Sequence, residues 1–319
     1  MRLWPALLHV LLAAPVAWGQ AGEPASGRLA LLPLPAELDP TERTERAALE
    51  PAERRDPFNL YVGVDFVSMY VSRGQVFSSK FSVQPWFEMD VPLAGGEPVG
   101  GWGTLSAFAG NWNSFQEGDP GLGQSRSGGG LMDNWFEADI YGGFRATFLD
   151  HFGSSLRFNY YTSPSDSFSD INELDWRLSY DDTHWWADGD NDANFQLNPS
   201  LRIAKEVNDR GGPDGWYFQP ALRPSFDLTA LPGDLRMEIP LILGFGADGQ
   251  YRGAGGEEIH FGFFQTGVGI GGPLEVLGEN EGSLRWSVAV DVIYVSDRAI
   301  NFRGDRINTV GKMGISYSY

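Results

Sequence analysis

Apolar and polar residues alternate along most of the chain after Asn59. Between Phe136 and Phe148, hydrophobic side chains such as Ile140 fall on one side and charged ones such as Asp139 on the other. A period of two is the signature of a β-strand, because successive side chains point to opposite faces. The pattern therefore predicts an all-β chain.

Twelve segments repeat this alternation, and glycine- and proline-rich turns separate them. They are Leu60–Tyr70, Val83–Val91, Trp102–Asn111, Phe136–Phe148, Leu156–Tyr160, Leu174–Tyr180, Phe195–Ile203, Trp216–Asp227, Leu235–Phe245, Phe264–Ile270, Leu284–Tyr294 and Met313–Tyr319. The turn from Asp181 to Asp192 is long, and Thr183–Ala187 could add a short strand. We therefore predict about twelve strands, within a range of roughly 10 to 14.

The two faces of these segments differ in charge. No position on the apolar face is charged, whereas a Lys or Arg facing lipid at the bilayer centre costs about 2–4 kcal/mol. The opposite face carries too many charges for the core of a soluble sandwich. Several segments alternate for about ten residues, the length that a transmembrane strand needs. The sequence predicts a transmembrane antiparallel β-barrel, with a secreted soluble β-protein such as a lectin as a weaker alternative.

The charged positions on the inner face are the candidate functional residues, because charges that line an aqueous pore set ion selectivity. The pore-lining candidates are Asp65, Glu88, Asp90, Glu137, Asp139, Arg145, Arg157, Glu173, Asp175, Arg177, Arg202, Arg223, Asp227, Arg236, Glu238, Arg285, Asp291 and Lys312. Alternatively, these charges pair across strands and close the interior. The sequence leaves both readings open, because it does not give the register.

The first residues read as a signal peptide at 1–19, with Arg2 before an apolar run and small residues before Gln20. Residues 20–58 are rich in proline and charge, and we interpret them as a periplasmic linker, in which Thr41–Arg55 could form a short helix. A plug or cell-wall contact is the alternative. The barrel then occupies residues 59–319. The chain has no cysteine, so neither a disulfide nor a lipoprotein anchor stabilises it.

The last strand ends on an aromatic residue, Tyr319. This ending resembles the terminal strand of bacterial outer-membrane proteins, and the resemblance implies recognition by the barrel-insertion machinery. Aromatic residues also mark the strand ends, as two interfacial girdles would. Tyr70, Tyr160, Trp216 and Tyr294 fall at one rim, and Tyr180, Tyr317 and Tyr319 at the other. We expect the bacterial outer membrane, with both termini in the periplasm and outer-membrane lipid around the barrel.

Two short stretches resemble the TorF-type porin family. Tyr70-Val71-Ser72-Arg73-Gly74, followed by Ser82-Val83-Gln84-Pro85, is similar to the opening of those proteins, and Glu173–Asp181 is similar to a later strand. The similarity covers about a quarter of the barrel region. It implies a barrel of this size and a pore, and it carries no catalytic residue to this chain.

Candidate chemistry is sparse. Only His151, His184 and His260 follow the signal peptide, and nothing marks a serine beside His260 as an outer-membrane lipid hydrolase would need. Asp188–Asp192 alternates carboxylates, but it lacks the glycine and glutamate of a calcium-binding EF-hand loop. Ser127–Gly130 lacks the Lys-Ser/Thr of a phosphate loop. We expect no catalysis, no metal and no cofactor.

The formal net charge of −19 argues against a nucleic-acid partner. We therefore predict a porin-like channel for passive diffusion of small hydrophilic solutes or ions. A non-conducting structural or surface-interaction barrel is the alternative, and a lipid hydrolase is a weaker one. Five prolines lie within the strand patterns. Because proline removes a ladder hydrogen bond, they should sit at rims or bulges, or else the predicted strand boundaries are inexact. They are Pro85, Pro199, Pro220, Pro224 and Pro240.

Overall fold

The computed structural model describes most of the chain after residue 57. The described ranges are 58–94, 102–117, 134–187, 194–207, 215–253, 255–274, 282–298 and 305–319. The predicted signal peptide, the linker up to residue 57, Ser127–Gly130 and Asp188–Asp192 lie outside these residues. No helix in the described part of the chain is both long and apolar enough to span a bilayer.

Seventeen strands form in the described ranges. They are β1 Asn59–Val67, β2 Tyr70–Ser72, β3 Gln75–Ser78, β4 Ser82–Ala94, β5 Trp102–Gln116, β6 Trp135–Phe148, β7 Phe152–Thr162, β8 Ile171–Tyr180, β9 Phe195–Gln196, β10 Ser200–Glu206, β11 Trp216–Leu222, β12 Ser225–Asp227, β13 Arg236–Glu238, β14 Leu241–Ala247, β15 Phe261–Pro273, β16 Ser283–Val295 and β17 Ile307–Ser318. The one described helix is α1, Thr183–Trp186.

The wall strands close into a barrel. Each pairs antiparallel with the next along the chain, and β1 pairs with β17 from Tyr61 opposite Ser318 to Val67 opposite Lys312. β9 and β10 form one broken strand, as do β11 and β12, and β13 and β14. Counted in this way the wall has twelve strands, as predicted. Closure pairs the strands with one another all the way around the wall, as a bilayer requires.

Three of the five prolines that the sequence places within strands lie at the breaks in these strands. Pro199 lies between β9 and β10, Pro224 between β11 and β12, and Pro240 between β13 and β14. The register continues across them without a bulge: Gln196 pairs with Ser225 below the break, and Ser200 with Ala221 above it. For these three prolines the alternative expectation holds: the predicted strand boundaries were inexact, because each strand is interrupted at its proline. The wall tolerates them by losing ladder bonds locally, as proline offers no donor.

The other two prolines lie inside strands. Pro85 is in β4 and Pro220 in β11, and the pairing of each strand with one neighbour skips that position while keeping its register. Each proline still pairs on its other side, with Val64 and Leu201 respectively. A central strand can therefore hold proline when a single ladder bond is given up.

We name the two ends of the barrel by the chain termini. The terminal rim holds Asn59 and Ser318, where β1 begins and β17 ends; the far rim holds Val67 and Ile307. On the outer face, the exposed fraction is 57% for Phe144 and 49% for Met313. Within the described wall strands, the charged outward side chain is Lys205, whose Nζ lies 4.6 Å from the ring centre of Trp216 at the far rim.

The segment Thr183–Ala187 forms helix α1 and not a strand, which corrects the prediction. β8 ends at Tyr180, so β9 continues past the end of its neighbour as a sheet edge. The buried carboxylate of Asp182, just before α1, accepts hydrogen bonds from the backbone N–H of Leu197 (2.8 Å) and of Asn198 (2.9 Å). A side chain thus completes the edge that a strand would otherwise have paired.

Three further differences concern strand ends. β1 stops at Val67, so Tyr70 belongs to an inner hairpin and not to the rim girdle. β5 runs to Gln116, beyond the predicted end at Asn111. Phe136 was placed on the lipid face, but the pairing of β5 with β6 shifts beside it and turns it inward, where it is 3% exposed. A bulge of this kind reverses the face of one residue.

Candidate functional site

All eighteen predicted inner-face charges lie on the inner side of the barrel wall. Most are buried among other inward side chains, and none belongs to the lipid-facing set. The alternation of the strands fixes this placement, because a single face of each strand meets lipid. Whether they line an open pore remains a prediction.

One ion-pair group links β4 with β6. The Arg145 guanidinium donates to Glu88 Oε1 (2.7 Å) and to Asp90 Oδ2 (2.9 Å), and it lies over the ring of Phe108 at 4.1 Å. Glu88 is fully buried. One cation therefore contacts two buried carboxylates. A charge in a low-dielectric interior is stable only when it is paired in this way.

A second group links β7, β8 and β10 around Asp175. Arg157 (2.7 Å), Arg177 (3.2 Å) and Arg202 (2.7 Å) all contact Asp175 Oδ2. Arg202 also lies 3.6 Å from Glu173. Three arginines thus converge on one strand of the wall.

Smaller pairs complete the inner charges of the later strands. Lys312 Nζ lies 2.8 Å from Asp291 Oδ2, Arg236 lies 3.7 Å from Asp227, and Arg223 lies 3.8 Å from Glu238. The remaining predicted residues are Asp65 on β1, Glu137 and Asp139 on β6, and Arg285 on β16. The structure therefore favours cross-strand pairing, the alternative that the sequence left open, for most of the candidates.

The hairpin of β2 and β3, residues 70–78, folds into the barrel from the far rim. Its two-residue turn is Arg73-Gly74, with φ of 50° and 78°. Two positive φ values in succession match the tight turn whose twist suits a β-hairpin, and glycine adopts the second without strain. Sequence reasoning extended the first strand through Tyr70 and so missed this hairpin.

Polar contacts join the hairpin to the opposite wall. Arg73 Nη2 donates to both carboxylate oxygens of Glu173 on β8, at 2.7 and 2.6 Å. The Tyr70 hydroxyl donates to Glu137 Oε2 on β6 at 2.8 Å. The Tyr251 hydroxyl donates to the Arg73 carbonyl at 3.1 Å. The hairpin therefore bridges distant parts of the interior.

An apolar cluster holds the other side of the hairpin. Val71 and Val76 share one buried cluster with inward residues of the later strands, including Ile242, Phe263 and Ile293. These inward apolar residues were not predicted. The signal was present in runs such as Leu241-Ile242-Leu243, where both faces of a strand are apolar and alternation fails.

A cavity of about 320 Å³ lies between the hairpin and the wall. Its lining includes Arg73 and Tyr70 from the hairpin, and Glu137, Arg157 and Glu173 from the wall. Burial, followed by the charges of Glu137 and Asp139, raises the pKa of Tyr70 well above 10. Burial opposes the charge on Arg73, but Glu173, Tyr161 and Tyr217 together outweigh it and raise the pKa of Arg73 well above its ordinary value.

The histidines lie away from this cavity. His260 is exposed at the far rim, where its Nδ1 is 3.3 Å from the Gly246 carbonyl and 3.9 Å from Glu258. His151 and His184 stack at 3.9 Å near the terminal rim, beside Tyr180. These contacts do not include a serine hydroxyl.

The outer surface decides where the barrel resides. The closed antiparallel wall has an apolar outer face on which the described charge, Lys205, lies at the far rim, with polar residues inside and aromatic residues near both rims. Such a surface suits the hydrocarbon of a bilayer. The chain is a bacterial outer-membrane β-barrel.

No family model matches the chain, and no curated protein matches it in sequence. Solved structures that resemble it include an outer membrane channel from Pseudomonas putida F1, with 9% identity, 85% of this chain and 99% of that chain covered, and a TM-score of 0.45. The beta domain of the Bordetella autotransporter BrkA has 15% identity, 83% and 99% coverage, and a TM-score of 0.41. The transport unit of the autotransporter AIDA-I from Escherichia coli has 12% identity, 85% and 92% coverage, and a TM-score of 0.40. Similarity at this level carries no function.

Proposed function

We propose that the barrel is a porin-like channel for passive diffusion of small hydrophilic solutes or ions, and that the described conformation is its closed state. The observation that supports this is the cavity inside the barrel, whose lining includes ionisable and amide side chains beside apolar ones. On the described outer face of the wall, by contrast, the charged side chain is Lys205 at the far rim. A volume of about 320 Å³ is at the lower end of the range for small-molecule sites. The channel acts without catalysis or a cofactor.

The closed state follows from the burial of the inner charges. Glu88, Asp175 and Asp291 are each 0% exposed, so no water-filled path passes their carboxylates in this conformation. Conduction requires at least some of the cross-strand ion pairs to separate or their side chains to move.

The same burial favours a second candidate, a non-conducting structural barrel. A carboxylate held by two or three arginine contacts, as Asp175 is, stabilises a filled interior. In that case the inner charges pack the barrel and never carry solute.

The orientation and partners complete the proposal. The terminal rim faces the periplasm, so the inner hairpin lies towards the cell exterior. The last strand, with Tyr317 and Tyr319 at its end, serves as the signal for the barrel-insertion machinery. Membership of the TorF-type porin family is also proposed, on the Tyr70–Gly74 and Ser82–Pro85 resemblance alone.

Planar-bilayer recording tests the channel against the structural barrel. The protein is purified from outer membranes, and a heat-modifiable gel shift shows that the barrel is folded. We expect discrete conductance steps from the folded protein and none from a boiled sample. Folded protein that never conducts, at any voltage tried, rejects the channel and supports the structural barrel.

A further inference from the structure

We propose that Arg73 sets the size limit of the channel, because its side chain bridges the gap between the inner hairpin and β8. This inference rests on the proposed channel function. It assigns the constriction to one residue of a loop turn, in place of the charged wall positions that the sequence indicated.

The first support is the position of the Arg73 guanidinium. It contacts Glu173 on β8 through both carboxylate oxygens, and it lies over the ring of Tyr217 on β11 at 4.5 Å. Arg73 therefore fills the space between the turn of the hairpin and two strands of the wall. Arg73 and Glu173 both line the cavity.

The second support is that the hairpin backbone is fixed from the other side. Val76 is fully buried in the apolar cluster that contains Phe263 and Ile293. A β-carbon added to Gly74 would lie 2.8 Å from Phe263 Cβ, so the turn packs directly against β15. Burial of valines and an aromatic ring holds the backbone in place. The movable part is the Arg73 side chain, which has several rotatable bonds.

The third support is that Glu173 does not depend on Arg73 alone. Tyr161 donates to Glu173 Oε1 at 2.9 Å and Asn159 at 3.3 Å, and Arg202 lies 3.6 Å away. Removal of Arg73 thus leaves a carboxylate that still has donors and a cation. The variant Arg73→Ala should therefore fold, unlike most variants that unpair a buried charge.

Two substitutions separate the width of the passage from the strength of the ion pair. Arg73→Ala removes the bridging side chain, so we expect a several-fold rise in unitary conductance and entry of larger sugars in liposome swelling. Glu173→Gln keeps the shape but weakens the attraction. We expect it to raise the fraction of time open with little change in the size limit.

The control is Arg252→Ala, which removes the same charge from the same end of the barrel. Arg252 is exposed in the loop between β14 and β15, where its backbone bridges to Glu258. Conductance and size limit should stay at the wild-type values. Equal effects of Arg252→Ala and Arg73→Ala would show that charge alone matters and would overturn the assignment.

The outcomes also separate this inference from the channel itself. If wild type conducts and folded Arg73→Ala conducts identically, the assignment fails and the channel stands. If only Arg73→Ala conducts, the channel fails for the natural chain, and the assignment of its size limit fails with it. If neither conducts in the folded state, the channel fails and the assignment with it. If Arg73→Ala does not give the heat-modifiable shift, Arg73→Gln takes its place. Glutamine keeps a shorter, uncharged polar side chain, so we expect a smaller rise in conductance.

Discussion

The Asp182 carboxylate and the Leu197 backbone N–H meet at 2.8 Å where β8 has already ended and β9 continues. Asn198, the next residue, is in the left-handed region (φ 51°) and donates its own N–H to the same carboxylate at 2.9 Å. One buried side chain therefore satisfies two backbone donors at a sheet edge. The barrel wall at this point depends on a turn residue and not on strand pairing.

Asp182→Ala should destabilise the barrel. Two half-buried N–H groups lose their acceptor. A fully buried unsatisfied donor costs about 1–3 kcal/mol, so for these two together we expect a loss on the order of 2 kcal/mol in the free energy of unfolding. Urea unfolding in detergent measures it. Glu117→Ala is the control, since Glu117 is an exposed acid at the far rim. Equal stability of the two variants would show that the edge does not need Asp182.

A cation placed in the middle of the outer face should be costly. Val290→Arg on β16 replaces an outward side chain that is 49% exposed, and we expect a loss of about 2–4 kcal/mol in folding into lipid vesicles. Ile307→Arg at the far rim should cost only about 0–1 kcal/mol. The reverse order, with the rim variant the worse, would contradict the placement of the outer face.

Arg145 should be essential for stability, because it alone pairs with both Glu88 and Asp90 among the ion pairs described. Arg145→Ala leaves buried carboxylates uncompensated, which costs about 3–5 kcal/mol. The heat-modifiable gel shift should then occur at a lower temperature. Arg306→Ala, at an exposed position, is the matched control and should behave as wild type.

Single cysteines test the orientation of the barrel, because the natural chain has none. Ser167→Cys lies in the far-rim loop between β7 and β8, and Ala230→Cys in the terminal-rim turn between β12 and β13; both positions are exposed. In intact cells, a membrane-impermeant maleimide should label the first and not the second. Labelling of Ala230→Cys alone would invert the proposed topology.

Tyr70, in the hairpin outside the wall strands, should resist ionisation. Burial and the neighbouring charge of Glu137 raise its pKa well above 10. The folded state therefore keeps this proton above the pH at which the unfolded chain loses it. Its contribution to stability is complete below about pH 10 and falls as the pH rises towards the folded pKa.

The difference in phenolate absorbance between wild type and Tyr70→Phe measures this ionisation. We expect no difference between about pH 9 and pH 11, where exposed tyrosines titrate. A difference that grows with a midpoint near 10 would mean that Tyr70 is not enclosed by the hairpin and β6.

The wall could be predicted from the sequence because lipid enforces a simple rule at every second position. All twelve wall strands and the inward direction of residues such as Glu88 and Asp175 followed from that rule. The hairpin did not, since Val71 and Tyr70 read as a continuation of β1. The Arg73–Glu173 contact joins residues 100 positions apart. Alternation gives the face of a residue, but it does not give its partner across the barrel.

The prolines and Phe136 show a second limit. The prolines were expected at rims, at bulges or at inexact strand boundaries, and Pro199, Pro224 and Pro240 interrupt hydrogen bonding at matching positions of adjacent strands. One bulge lies beside Phe136, where the local sequence alternates regularly. The ladder tolerates missing donors more readily than the pattern suggests, because the neighbouring pairs hold the register.

The apolar partners of the hairpin come from the end of the chain. Val71 and Val76 are synthesised and exported early, because they lie near the start of the barrel. Phe263, Ile293 and Val310 belong to the last three strands. The interior therefore cannot be completed while those strands are still in transit, and until then the two valines lack their native contacts. In a chain truncated before β15, the apolar side of the hairpin would stay exposed. Folding of the barrel therefore requires that the unfolded chain be kept from aggregating during export.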